Sequence, residues 1–254
     1  FNPNQPRALA TLASLISQQG DQEQALKLCN RVLEMAPKYA PGHSNLGLIY
    51  RRQDKLDLAE KHYKLAVEYD SRLVPAFVNL AQLYTRQGKT EEALEQFRKA
   101  VQANPQYPNP VALANLGAHH YNNGRYQAAY NLYRRALHVD PDYALVHKHI
   151  ATIFALPQWN RPDLAAYHLR RSLDLDPQQA DTGQLRRLLA MAEKAMAERT
   201  GEPARQEPKP QEPEPPGSES PDAEGPATVP APRPSEPAPS AAPIEADSRD
   251  VPKS

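Results

Sequence analysis

The stretch FVNLAQLYTRQGKTEEALEQFRKAVQANP, residues 77–105, carries the pattern that decides the fold. Its large and small apolar residues, Phe77, Leu80, Ala81 and Tyr84, then Ala93 and Phe97, fall three and four apart. That spacing gathers them into one buried stripe on each of two helices. Gly88 lies between the two runs, where the first helix must stop at a position that favours positive φ. Pro105 ends the second, because proline cannot continue a hydrogen-bonded turn. Strands are not indicated anywhere in the chain.

The same phrase recurs on both sides. Upstream, His43-x2-Leu46-Gly47-x2-Tyr50 is followed by Ala59-x3-Tyr63, with Ser71 in the proline slot thirty-four residues before Pro105. Downstream, Leu113-x2-Leu116-Gly117-x2-His120 leads to Ala129-x3-Tyr133 and Pro141. The first copy runs Leu9-x2-Leu12-Ala13-x2-Ile16, Ala25-x3-Cys29, Pro37, and a weaker fifth runs His147-x2-Ile150-Ala151-x2-Phe154, Ala165-x3-Leu169, Pro177. Two spacings lengthen by two residues, at Tyr107-Pro108-Asn109-Pro110 and at Pro157-Gln158-Trp159, where insertions fall on loops. Small residues let paired helices approach closely and large ones fill the space between them. One such pair cannot bury its stripe alone, so stability must come from stacking pair on pair. After the fifth copy, Leu185, Leu188, Leu189, Met191 and Met196 predict a helix that caps the array. At the front, Phe1-Asn2-Pro3 is similar to the close of another copy, Pro3 lying thirty-four residues before Pro37. The expectation is a C-terminal part of a longer protein.

Five copies in one register resemble the tetratricopeptide repeat (TPR), whose pattern is Trp-x2-Leu-Gly-x2-Tyr, Ala-x3-Phe, Pro. The resemblance covers residues 1 to about 178. It implies an all-α, right-handed TPR solenoid of about five helix pairs plus a capping helix. The expected divisions are residues 1–5 as the end of a preceding repeat, 6–39, 40–73, 74–107 and 108–143 as repeats, 144–179 as a degenerate repeat, and 180–200 as the cap. The family's general role is to bind peptide segments of partner proteins on the concave surface of the first helices of the pairs. Carrying its groove positions over gives Asn45, Asn79 and Asn115 at one position of three successive repeats. Neighbouring groove positions hold Arg51, Arg52, Gln82, Arg86, Tyr121, Asn122, Lys148 and His149. An asparagine amide offers an acceptor and two donors, so a column of them can pair with the backbone of an extended peptide. The column resembles the asparagine ladder of the O-linked N-acetylglucosamine transferase superhelix. The family's clamp for a terminal carboxylate does not carry over, since Ala10, Ser14 and Pro75 stand where its cations and amides are required.

Composition sets the remaining bounds. Lys plus Arg and Asp plus Glu number 30 each, but from residue 201 onward acidic residues dominate. More than half of the 27 prolines lie there too. That segment, 201–254, buries too little apolar surface to offset ordering entropy and is expected to be a disordered acidic Pro/Ala/Glu-rich tail. Pro210-x-x-Pro213 and Pro234-x-x-Pro237 match the minimal proline-ligand pattern, and a further expectation is that the tail folds back to compete for the groove. No apolar run approaches the roughly 20 residues needed to cross a bilayer. The single cysteine, Cys29, excludes an internal disulfide without deciding between cytoplasm and periplasm.

Catalytic chemistry is not indicated. Gly88-Lys89-Thr90 lacks the upstream glycine of a phosphate loop, Leu83 standing in its place. His119-His120 and His147-x-His149 point to different helix faces, and no cysteine or carboxylate cluster completes a metal site. Cys29 takes an aromatic slot and reads as a core thiol. Trp159 is either a surface anchor or a cover for the last helix pair. The expected function is a non-enzymatic scaffold or adaptor, without cofactor or metal, binding an extended segment of a protein partner. Nucleic-acid binding and membrane insertion are not expected, and a second copy is kept as a candidate partner. The alternative is the substrate-recognition or oligomerisation arm of a larger enzyme, such as a glycosyltransferase, with its catalytic domain upstream.

Overall fold

A computed structural model describes residues 5–200, so the expectations for residues 1–4 and for the proline-rich tail lie outside the described residues. Among the described residues the regular structure is helical throughout. The helices are α1 (Gln5–Gln18), α2 (Gln22–Met35), α3 (Ala40–Arg52), α4 (Leu56–Tyr69), α5 (Val74–Arg86) and α6 (Thr90–Ala103). They continue with α7 (Pro110–Asn122), α8 (Tyr126–Val139), α9 (Ala144–Phe154), α10 (Pro162–Leu175) and α11 (Thr182–Thr200).

Local chemistry places the ends of these helices. Pro41, Pro75 and Pro162 sit in the first turns of α3, α5 and α10, where a missing N–H leaves nothing unsatisfied. The Asp21 carboxylate accepts from the Gln24 N–H at 2.9 Å, and the Asn109 amide oxygen from the Ala112 N–H at 3.0 Å, capping α2 and α7. Pro37, Pro105, Pro141 and Pro177 each stand two residues past the end of α2, α6, α8 and α10. Inside the pairs, Gly20, Gly88 and Gly124 take φ of 99°, 74° and 72°. At the same turn of the second and fifth pairs the chain uses Asp54 (φ 58°) and Asn160 (φ 43°), two residue types that tolerate the left-handed region.

Helices pack with their neighbours in the chain: α1 on α2, α3 on α4, α5 on α6 and α9 on α10, with α2 on α3, α4 on α5 and α8 on α9 joining one pair to the next. The closest approach follows a size rule written in the sequence. Gly47 and Gly117 face Tyr63 and Tyr133, whose rings lie where a Cβ on either glycine would stand. Where the first helix carries alanine, the facing slot holds no tyrosine: Cys29 with Ala13 and Leu169 with Ala151 share buried clusters, and in the third pair the buried Phe97 takes the slot that corresponds to Ala81. The cap also forms. Leu185 of α11 is buried with Ala151 and Leu169, and Leu188 and Leu189 pack against that cluster. Met191 turns outward, so it is not part of the capping face.

Packing divides the described chain into two compact units at Asn115, inside α7. The first holds α1 to α6 and the start of α7, the second the rest of α7 and α8 to α11.

Candidate functional site

In the first unit, Asn45, Asn79 and Asn115 are all half-buried on α3, α5 and α7, but their amides are engaged differently. The Asn45 amide donates to the Ala10 carbonyl of α1 at 2.8 Å, tying the second pair to the first. Asn115 turns back on its own helix and donates to the Val111 carbonyl at 2.9 Å. Asn79 makes no hydrogen bond with the described residues. Asn45 and Asn115 keep their carbonyl oxygens and a second N–H, whereas Asn79 keeps its whole bonding capacity.

The cations of this face reach across to neighbouring helix pairs. Arg52 donates to the carbonyl and hydroxyl of Ser17, satisfying a carbonyl in the last turn of α1. Arg51 donates to the Gln82 amide oxygen at 3.1 Å, and Arg86 pairs with Asp54 at 3.0 Å. The Arg86–Asp54 pair is exposed on both sides and contributes at most about 1 kcal/mol. Beneath them the Tyr63 hydroxyl is buried without a hydrogen-bond partner, and burial pushes its pKa up to about 12, so it stays protonated.

In the second unit, burial raises the Tyr121 pKa, with the Thr152 side chain acting against that rise. Its ring meets Tyr126 edge-on at 5.2 Å. Asn122 is exposed. Lys148 pairs with Asp181, just ahead of α11, at 2.9 Å. His149 is buried rather than presented: its ring lies flat on Tyr133 at 5.3 Å, and burial, with Lys148 beside it, pushes its pKa down to about 4. Six of the eleven residues, Asn45, Arg51, Arg52, Gln82, Arg86 and Lys148, therefore join one repeat to its neighbour or to the capping segment, a use of the position that a pattern with no coordinates does not disclose.

The other singled-out residues have structural places. Cys29 is buried in the first core cluster, where desolvation pushes its thiol up to about 12 and keeps it from being a nucleophile. Trp159 meets Tyr130 and Phe154 edge-on at 5.2 and 5.5 Å, covering the last helix pairs. Gly88 and Lys89 form the turn into α6, which begins at Thr90. Among the described residues no group of three or more His, Cys, Asp or Glu side chains is arranged to hold a metal ion. No helix among them is long and apolar enough to cross a membrane.

Three tetratricopeptide repeat family models match the sequence, over residues 6–39, 38–106 and 84–153. The chain belongs to the tetratricopeptide repeat family. As a tetratricopeptide protein it is a protein-interaction scaffold, the role general to that family. No curated protein sequence matches it. Among solved structures it is similar to the type IV pilus biogenesis factor PilW (19% identity, 76% of this chain and 92% of that one, TM-score 0.59). It is also similar to PilF of Pseudomonas aeruginosa (22%, 78% and 93%, TM-score 0.57). A third likeness is YrrB, described as a TPR protein with an unusual peptide-binding site (19%, 76% and 94%, TM-score 0.52). At these identities the likeness is one of fold. The family models stop at residue 153, and beyond it α10 packs on α9 and α11 on α10.

Proposed function

We propose that the chain is an adaptor that holds an extended segment of a partner protein on the face formed by α3, α5 and the start of α7. The observation that carries this reading is Asn79. It is a half-buried amide at the same repeat position as Asn45 and Asn115, yet no contact of the fold engages it. A half-buried amide with open bonding capacity is costly unless water or a ligand backbone satisfies it. An extended peptide supplies alternating N–H and C=O groups that such an amide can bind in pairs. Asn45 and Asn115 keep enough donors and acceptors to bind on either side of it. The protein YrrB, of similar fold, is described as having a peptide-binding site, which supports the class of ligand without identifying it.

The test is a selection of displayed random peptides on the full chain. The reading expects enrichment of peptides that bind in extended form and compete with one another for one face. A library that yields no binder, or binders unaffected by substitutions on α3 and α5, contradicts it.

A further inference from the structure

Helices α4 and α6 both pack on α5, and between them, over one side of α5, lies a cleft of about 590 Å³. Phe77, Leu80 and Tyr84 of α5 form its floor. Successive residues of a helix turn by about 100°, so these three lie on the side of α5 away from Asn79, Gln82 and Arg86. The cleft is therefore separate from the face on which the asparagines stand. Its size falls within the range of about 300–1,000 Å³ typical of binding sites.

Two departures from the repeat border this cleft. The last residue of the second helix in the five pairs is Met35, Tyr69, Ala103, Val139 and Leu175, and only in the third is it small. Two residues on, the closing proline is replaced in the second repeat by Ser71. Ser71 and Ala103 both line the cleft. The second repeat shows the same slots filled. There Tyr69 meets His43 at 5.4 Å, His43 stacks on His62 at 5.3 Å, and His62 stacks on Tyr50 at 5.4 Å, a row of four rings. His43 and His62 also bring their Nδ1 atoms to 3.0 Å, as His147 and His168 of the fifth repeat do at 2.8 Å. In the third repeat the four slots hold Ala103, Phe77, Gln96 and Tyr84, all of them in the wall or floor of the cleft. Two rings of the row remain and two are missing.

We propose that this cleft docks a tyrosine side chain of a partner protein, flanked by acidic residues, in the place that Tyr69 fills one repeat earlier. Ring-on-ring contacts with Phe77 and Tyr84 would then complete the row, and such contacts favour an aromatic over an aliphatic side chain of similar size. The floor is fixed in advance, because the Tyr84 hydroxyl donates to the Glu60 carboxylate at 3.4 Å and Lys89 sits over its ring at 5.3 Å. Gln96 and Gln102 make no hydrogen bond with the described residues, so their amides are available to a tyrosine hydroxyl as donor and acceptor. Charge selects the flanks. The rim carries Lys64 and Lys99 against Glu68, two cations to one anion. The Lys99–Glu95 pair is exposed on both sides and weak, so Lys99 can turn to a carboxylate of the partner.

The test is a titration of the isotope-labelled full chain with the capped tripeptide Glu-Tyr-Glu, followed by NMR on the methyl signals of Val67 and Leu80, which line the cleft. Those signals should move and saturate, and they should do so equally in Asn79→Ala, which separates the cleft from the asparagine face. Glu-Leu-Glu and Lys-Tyr-Lys should each bind about threefold more weakly or worse, the size of one lost ring contact or one rim charge. Ala103→Tyr, which copies Tyr69, should abolish binding. If that variant does not fold, Lys99→Glu on the exposed rim should weaken Glu-Tyr-Glu by about threefold or more. The proposal is overturned by Val67 and Leu80 signals that stay in place, by a leucine or lysine peptide that binds as tightly, or by a folded Ala103→Tyr or Lys99→Glu chain that binds undiminished.

Discussion

Gly47 lies so close to Tyr63 that a Cβ there would stand 2.5 Å from ring carbons Cδ1 and Cε1. Tyr63 is completely buried, so the ring has nowhere to go. Gly47→Ala should therefore destabilise the protein by about 1–3 kcal/mol, the range for overpacking a well-filled core. Urea denaturation measures the loss. Pairing it with Tyr63→Leu, after the Ala151–Leu169 combination of the fifth pair, should recover part of it; a Gly47→Ala variant of unchanged stability would show that the size rule does not govern this contact. Gly47 was visible in the sequence as a small residue in a helix stripe. Its match to Tyr63 could be found only by comparing the two slots across repeats, since neither residue is unusual alone.

At the scale of the helix, equal positions in the repeat have unequal surroundings. Leu46 and Ile49 of α3 are 1% and 0% exposed, packed on Ala13, Ala25 and Cys29 of the pair before. Leu12 and Leu15 occupy those positions in α1 and are 44% and 52% exposed. Leu46→Ala should cost about 2–5 kcal/mol in a denaturant titration, as buried leucine truncations do. Leu12→Ala should cost about 1 kcal/mol, because close to half of its surface stays in water on folding. Equal losses at the two positions would mean that burial does not set these energies. The helices themselves were legible because the apolar stripe, the turn glycines and the closing prolines recur in one register. The turns at Asp54 and Asn160 were not, because these residues enter the left-handed region without glycine's signature. The His43–His62 and His147–His168 contacts are not legible for a related reason, since His62 and His168 lie in slots that are not part of the repeat's pattern.

For the whole molecule the question is which polar side chains the fold leaves for a partner. The groove positions carried over from the family's pattern contain both kinds, and sequence cannot separate them, because a long side chain's reach to the next pair depends on the coordinates of both helices. Arg52 satisfies the end of α1, and Arg51 and Gln82 bond to each other across the joint between α3 and α5. His149 is sealed beneath Tyr133. What remains in the first unit is a column of three amides with Asn79, bound to nothing in the fold, at its middle. Asn45→Ala removes a 2.8 Å bond to Ala10 and so mixes stability with binding, whereas Asn79→Ala does not. The most direct measurement is therefore the affinity of a selected extended peptide for the Asn79→Ala chain, titrated calorimetrically beside the parent and with urea midpoints matched. The account predicts unchanged stability and binding about tenfold weaker or more, the loss of roughly one well-placed pair of hydrogen bonds. Equal affinity for the two chains would contradict it.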